Sequence, residues 1–257
     1  RVYVAQYWPH RHNRRVREYA DAVPEADLAA MSPADRAKVN RYARENLGLE
    51  LAQKNFGLRQ PLEDAPDWVL LIEAATPSVD FDIALALERA LGEALEAGEI
   101  VDGLMAESET QRQALWGLRE GIVDSQPKEG ASIKHDIAVP VASIPAFVAE
   151  TKAALTKAFP TARLLCFGHV GDGNLHFNLL QPEGGDPVAF LRLSPAINRL
   201  VHDHVAAHKG SISAEHGIGQ LRRDELARLK SPVALGVMRA VKAALDPDGL
   251  FNPGKVL

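Results

Sequence analysis

From residue 67 onward the apolar and polar positions fall into short blocks, each with the period of a strand or a helix. The run WVLLIEAAT, bounded by Pro66 and Pro77, predicts a strand. FDIALALERALGEALEAG predicts an amphipathic helix that stops at Gly98. EIVDGLMA reads as a second strand, and SETQRQALWGLREGIVDS as a helix with Ser108 as its N-cap. ASIKHDIAVPV reads as one strand ended by Pro140, followed by a helix over VASIPAFVAETKAALTKAF. ARLLCFGHV and NLHFNLL predict two strands joined by a glycine turn. PVAFLRLSPAINRLVHDHVAAHKG predicts a helix broken or kinked near Pro195 and stopping at Gly210. SISAEHGIG reads as a short extended piece, with helices to follow over about 220–230 and 233–245 and a turn-rich tail, DPDGLFNPGKVL. This order predicts an α+β fold: a largely antiparallel sheet with helices packed on one face, then C-terminal helices.

Residues 1–48 keep no such rhythm, and a helical or poorly ordered segment is expected there. Ser32 and Pro33 suit the N-cap and first position of a helix, and the cluster Arg11, Arg14, Arg15 and Arg17 reads as a solvated face. Composition adds exclusions. The 257 residues suffice for a substantial core, and 46% hydrophobic with 25% charged residues is ordinary for a globular protein. A formal charge of −5 gives no reason to expect nucleic acid or an anionic membrane as a partner, and no apolar run approaches the roughly 18–20 residues of a membrane span. The start, RVYVAQYWPHRHNRR, lacks the apolar core and cleavage site of a secretory signal, so none is expected. The one cysteine, Cys166, excludes an internal disulfide, reads as a small buried strand residue and fits a reducing compartment; a cytoplasmic location is expected. No G-x-G-x-x-G opens a helix after a strand, and no G-x-x-x-x-G-K-[ST] occurs, so no common dinucleotide or phosphate loop is expected.

Candidate chemistry concentrates in GHVGDGNLHFN, residues 168–178. With Asp172-Gly173 as the central residues of a two-residue hairpin turn, His169 faces His176 directly. Such a pair has Cβ atoms about 4.5–5.5 Å apart on one sheet face, and two imidazoles so placed can meet one ion at about 2.0–2.1 Å each. Asn178, two residues past His176, points to the same face. A one-residue shift of the turn would put the histidines out of register. Glu215, in SAEHGIG, is the candidate third ligand. Two histidines and a carboxylate leave open positions on zinc, manganese or iron(II), the pattern of a catalytic site. His216 points the other way on an extended segment unless the backbone bends at Gly217. With that bend it is a free imidazole suited to general base work; without it, an ordinary surface or core histidine. His202, His204 and His208 read as a polar helix surface, although His204 and His208 stand at i and i+4 and share a helix face that could chelate a metal.

GHVGDGNLHFN, SAEHGIG and the ending DPDGLFNPGKVL together resemble the C-terminal half of the FAD-linked D-2-hydroxyacid dehydrogenases, the family of D-2-hydroxyglutarate dehydrogenase, D-lactate dehydrogenase and the glycolate oxidase flavoprotein subunit. LWGLREGI around Arg119, SIKHDIAVPV around Lys134 and NFGLRQPLEDAPDWVLLIE extend the likeness over residues 49–257. The resemblance implies that His169, His176 and Glu215 are metal ligands, usually for zinc, and that His216 removes the substrate hydroxyl proton. It implies substrate binding by Arg119, Lys134 and Asn178, and a place near the flavin for Asn252 and Lys255. Val123 stands where the hydroxyglutarate branch has a small hydroxyl residue, which leaves the substrate open. The family binds FAD mainly through an N-terminal domain absent here. The chain is therefore expected to be the substrate and metal part of a split or fragmentary flavoenzyme, partnered by a separate FAD-binding domain or chain. Its expected divisions are the unmatched residues 1–48, a substrate- and metal-binding cap domain over 49–210, and a C-terminal helical segment over 211–257 returning toward the flavin. A non-catalytic, metal-dependent carboxylate-binding module and a metallohydrolase stay open as alternatives, as do the electron acceptor and a homodimer.

Overall fold

A computed structural model describes residues 2–5 by their backbone, and residues 47–59, 62, 68–76, 80 and 82–257 in full. The chain divides into two units, Arg1–Glu129 and Gly130–Leu257. The division does not coincide with the expected boundaries at 48 and 210. The helix expected to start at Ser32, and the arginine cluster before it, lie outside the described residues apart from Leu47–Phe56.

In the first unit, β1 (Val2–Ala5) lies between β2 (Leu70–Glu73) and β3 (Gly103–Met105), antiparallel to both. A strand at the very start departs from the helical or poorly ordered segment expected there. Val2, Tyr3 and Val4 are β-favouring residues, but their partners lie far along the chain. The helices are α1 (Leu47–Phe56), α2 (Ile83–Glu96) and α3 (Glu109–Ser125). Asp82 caps α2 by accepting the N–H groups of Ala84 and Leu85, and Ser108 caps α3 as expected. α1 packs on α3 at Gly121, where a Cβ would stand 3.1 Å from Ala52 and from Leu58. Leu49, Leu51, Leu115, Leu118 and Ile122 are buried in this unit.

The second unit holds β4 (Ser132–Ile133), β5 (Asp136–Ala138), β6 (Arg163–His169) and β7 (Asn174–Leu180), with helices α4 (Ile144–Ala158), α5 (Pro187–Leu191), α6 (Ser194–Ala207), α7 (Arg223–Leu229) and α8 (Pro232–Leu245). All its strand pairs are antiparallel: β7 runs down the middle, β6 pairs one edge, and β4 and β5 pair the other. The antiparallel α+β class follows expectation, with the strands divided between two sheets. β4 and β5 share one register on β7, as if a single strand, but the ladder is distorted at Lys134-His135. There the His135 N–H turns to Asn178 Oδ1 (3.1 Å), and the Phe177 carbonyl meets His135 Nδ1 (2.7 Å). One sheet face carries Ile137, Leu175, Phe177 and Leu179, all buried, and α4 and α6 close over it with Phe147, Ile197, Val201 and Val205. Phe147 and Phe177 meet edge to face at 5.4 Å. The expected break before Pro195 separates α5 from α6.

His135, on this core face, is buried among Phe177, Asn198 and His202. Desolvation pushes its pKa down to about 4, so the ring is neutral near pH 7. His202 corrects the expectation of a polar helix surface: it is 2% exposed, with Nδ1 3.1 Å from Glu225 Oε2. His204 and His208 take separate partners, the Leu200 carbonyl and Glu150. Cys166 lies in β6, half-buried, and burial pushes its thiol up to about 12.

Candidate metal and substrate site

The other face of the same sheet carries the polar groups. Register places there Ala138, Asn174 and His169 in one row, Asp136, His176 and Phe167 in the next, and Asn178 opposite Leu165. The expected direct pairing of His169 with His176 does not form. The connection is a four-residue loop in place of two: a 3-10 turn, Val170–Asp172, closed by Gly173 at φ 77. The Asp172 carboxylate accepts the Asn174 N–H at 3.0 Å, which stabilises this longer turn. His169 therefore pairs with Asn174, and His176 with Phe167. The slip is two residues, and strand side chains alternate with period two, so both histidines keep the same face. They are diagonal neighbours with ring centroids 6.3 Å apart. Gly173 has no room for a side chain: a Cβ would lie 2.0 Å from the Val139 carbonyl oxygen.

The segment SISAEHGIG runs along the open edge of β5. Ser211 and Ala138 exchange backbone hydrogen bonds at 2.7 and 3.0 Å. The backbone bends at Gly217, φ 75, as its left-handed freedom permits. Glu215 Oε2 lies 3.8 Å from His176 Nε2, and the His216 ring lies 6.1 Å from the His176 ring. His169, His176, Glu215 and His216 are thus grouped, with His176 17% exposed and the other three exposed.

One pair in this donor set is spaced for a divalent metal ion. Two ligands each about 2.0–2.2 Å from one ion stand roughly 3–4 Å apart, and 3.8 Å between His176 and Glu215 meets that span. Among the described residues the group whose ligand atoms all lie within 4.8 Å of one another is Asp136, Glu215 and His216; of the expected triad, only His176 and Glu215 come within ligand distance, and His169 joins no such group. Asp136 is 2% exposed, and its Oδ1 is buried with no hydrogen-bond partner among the described residues. Burial works against its charge. The amide hydrogen bonds from His216 and Glu215 outweigh this and hold the carboxyl below its usual range.

Sequence reasoning missed Asp136 and Asn174. A lone Asp inside the apolar run SIKHDIAVPV was the available signal for the first. Asn174 is 2% exposed, and neither side-chain atom has a partner among the described residues. An orphaned buried amide is costly, and this one stands opposite His169 in the ladder.

The remaining expected residues are placed unevenly. Lys134 is exposed, between β4 and β5. Asn178 is buried, its Oδ1 engaged by the His135 N–H. Arg119 lies on α3 in the first unit, half-buried. Asn252 (φ 47) and Lys255 are exposed in the C-terminal tail. That tail docks back beside the site segment through Val256 N–H to the Gly219 carbonyl (2.7 Å) and Lys255 Nζ to Gln220 Oε1 (2.9 Å).

A sheet with one face closed by helices and the other carrying imidazoles and carboxylates makes an α+β unit with a candidate ligand cluster beside that face. Residues 18–256 match the family model described as FAD linked oxidases, C-terminal domain, and the chain belongs to that family. The match starts well before residue 49, where the resemblance read from the sequence begins. The chain is 40% identical over 193 residues to D-2-hydroxyglutarate dehydrogenase of Stutzerimonas stutzeri (strain A1501), covering 75% of this chain and 41% of that protein. It is 36% identical over 214 residues to the mitochondrial D-2-hydroxyglutarate dehydrogenase of Arabidopsis thaliana, covering 83% and 37%. It is 35% identical over 211 residues to that of Rattus norvegicus, covering 81% and 37%. The chain spans about two fifths of the length of these relatives. Among the described residues no helix is long and apolar enough to cross a membrane.

Proposed function

We propose that this chain is the substrate- and metal-binding part of an FAD-dependent dehydrogenase that oxidises a D-2-hydroxy acid, of the D-2-hydroxyglutarate or D-lactate type, to the 2-oxo acid. The observation that carries the reading is the grouping of His169, His176, Glu215 and His216 at the open face of the second sheet. When bound, FAD supplies a two-electron acceptor, and a divalent ion (zinc in this reading, with manganese and iron(II) also matched by the donors) acidifies the substrate hydroxyl.

His169, His176 and Glu215 would hold the ion. His216, 63% exposed in its side chain, takes the hydroxyl proton on its imidazole. Lys134 supplies a point charge for a carboxylate, and the Asn178 amide NH2 has the polarity to donate to one. Arg119 supplies a planar bidentate fork. Val123 stands one helical turn from Arg119 on α3, so it shares that face and bears on substrate choice. Asn252 and Lys255 would meet the flavin from the tail.

The flavin-carrying part is the expected partner. Val233, Val237, Val241 and Leu245 form an i, i+4 ridge on α8, each more than half exposed, which offers it an apolar surface. A reducing compartment, fitting the single cysteine, accommodates both the cytoplasm and the mitochondrial matrix. The test supplies this chain with an FAD-binding domain and measures dye reduction by D-2-hydroxyglutarate and by D-lactate. Turnover with one of them, abolished in His216→Ala, is expected. Tight binding of the acid with no turnover would favour a carboxylate-binding module instead. Unchanged turnover in His216→Ala would remove that residue from its role.

A further inference from the structure

We propose that Asp136 is a positioning residue that presents Glu215 and His216 to the site; the inference rests on the functional reading above. Asp136 stands directly opposite His176 across the β5–β7 ladder, so its side chain leaves the sheet on the same face. Its Oδ2 accepts three consecutive backbone N–H groups: Ala214 at 3.2 Å, Glu215 at 2.9 Å and His216 at 2.8 Å. Successive amides curled around one anionic oxygen form a nest, and hydrogen bonds to a charged acceptor are roughly twice as strong as neutral ones. The backbone carbonyl of Asp136 also accepts the Ala214 N–H at 3.2 Å.

The anchor matters because the segment has little else to hold it. Glu215, His216 and Gly217 are exposed, and among the described residues the amides of Glu215 and His216 have no other hydrogen-bond partner. The carboxylate fixes both where the segment turns and how it meets His176. It lies 3.7 Å from His216 Nδ1, so that edge of the ring faces Asp136. Glu215 is left with its carboxylate toward His176. With its Oδ2 taken up by three amides, Asp136 acts through Glu215 and His216.

The test compares the full-length chain as wild type, Asp136→Ala and Asp136→Asn by amide hydrogen exchange and by zinc titration against a chromophoric chelator. In Asp136→Ala the amides of residues 214–216 should exchange at least about tenfold faster, while the Phe177 amide, paired with the His135 carbonyl at 2.9 Å, keeps its protection. Zinc affinity should fall about 10–100-fold, the usual effect of removing a group that orients a ligand. Asp136→Asn keeps an acceptor oxygen and should lie between the two. Unchanged exchange at 214–216, or equal acceleration at Phe177 in both variants, overturns the proposal. So does a rise in exchange with zinc affinity intact. If the wild type takes up no zinc, the metal reading falls by itself, and the exchange result still decides whether Asp136 anchors the segment.

Discussion

The two faces of β7 differ in kind although their residues alternate along one strand. Leu175, Phe177 and Leu179 pack under α4 and α6 and are at most 3% exposed. Alternating with them stand Asn174, His176 and Asn178, of which His176 meets the Glu215 carboxylate and Asn178 the His135 N–H. Histidine shows the contrast most clearly. His135 on the core face is buried, neutral and held through both ring nitrogens, whereas His216 beside the other face is 63% exposed and is anchored through its backbone. One face carries the unit's core, and the other carries the groups proposed to bind. Pleat alternation keeps the two tasks separate within seven residues.

The comparison breaks first at large substitutions. Phe177→Ala removes a fully buried ring and should cost about 3–5 kcal/mol in urea unfolding, whereas His176→Ala one position away should cost about 1 kcal/mol or less and act on binding instead. Equal losses would mean the two faces are not separate. Acid should act next, and on the core face. The His135 pKa is depressed to about 4 from an ordinary 6.5, so the folded state binds fewer protons than the unfolded chain between those values. Stability from its burial is complete above pH 6.5 and is lost as pH falls toward 4. The loss is on the order of 3 kcal/mol, and the depressed His202 acts in the same direction. Urea midpoints at pH 7 and pH 4.5 check this; a stability that does not change between them would contradict the neutral, buried ring. Gly173→Ala should follow at about 2 kcal/mol or more, since it meets both the positive φ and the Val139 carbonyl. The smallest stability effect is expected at exposed Lys134: Lys134→Met should stay within about 0.5 kcal/mol while weakening capture of a dicarboxylate more than that of a monocarboxylate.

Much of this division was legible in the residue pattern. The blocks predicted as helix and strand from residue 67 onward appear as such, including the Ser108 cap and the break before Pro195, because each rests on local chemistry. The same-face placement of His169 and His176 was also legible, though for a reason only half right. Asp172-Gly173 suggests a two-residue turn, and the Asx hydrogen bond from Asn174 to Asp172 instead favours a four-residue loop. What local pattern cannot carry is pairing across distance. Asp136 reaches amides 78 to 80 positions later, and nothing in SIKHDIAVPV marks that partner. β1 pairs with strands roughly 70 and 100 residues away. His202 looks like a surface residue among other polar helix positions until Glu225, from another helix, meets it.

The central claim is that the open face of the second sheet holds a divalent metal ion through His169, His176 and Glu215. Elemental analysis of the purified full-length chain, before and after His169→Ala with His176→Ala, tests it most directly. The account predicts about one zinc, manganese or iron per chain in the wild type and close to none in the double variant, with the thermal unfolding of the metal-free proteins nearly the same. Full retention of the metal by the double variant would contradict it.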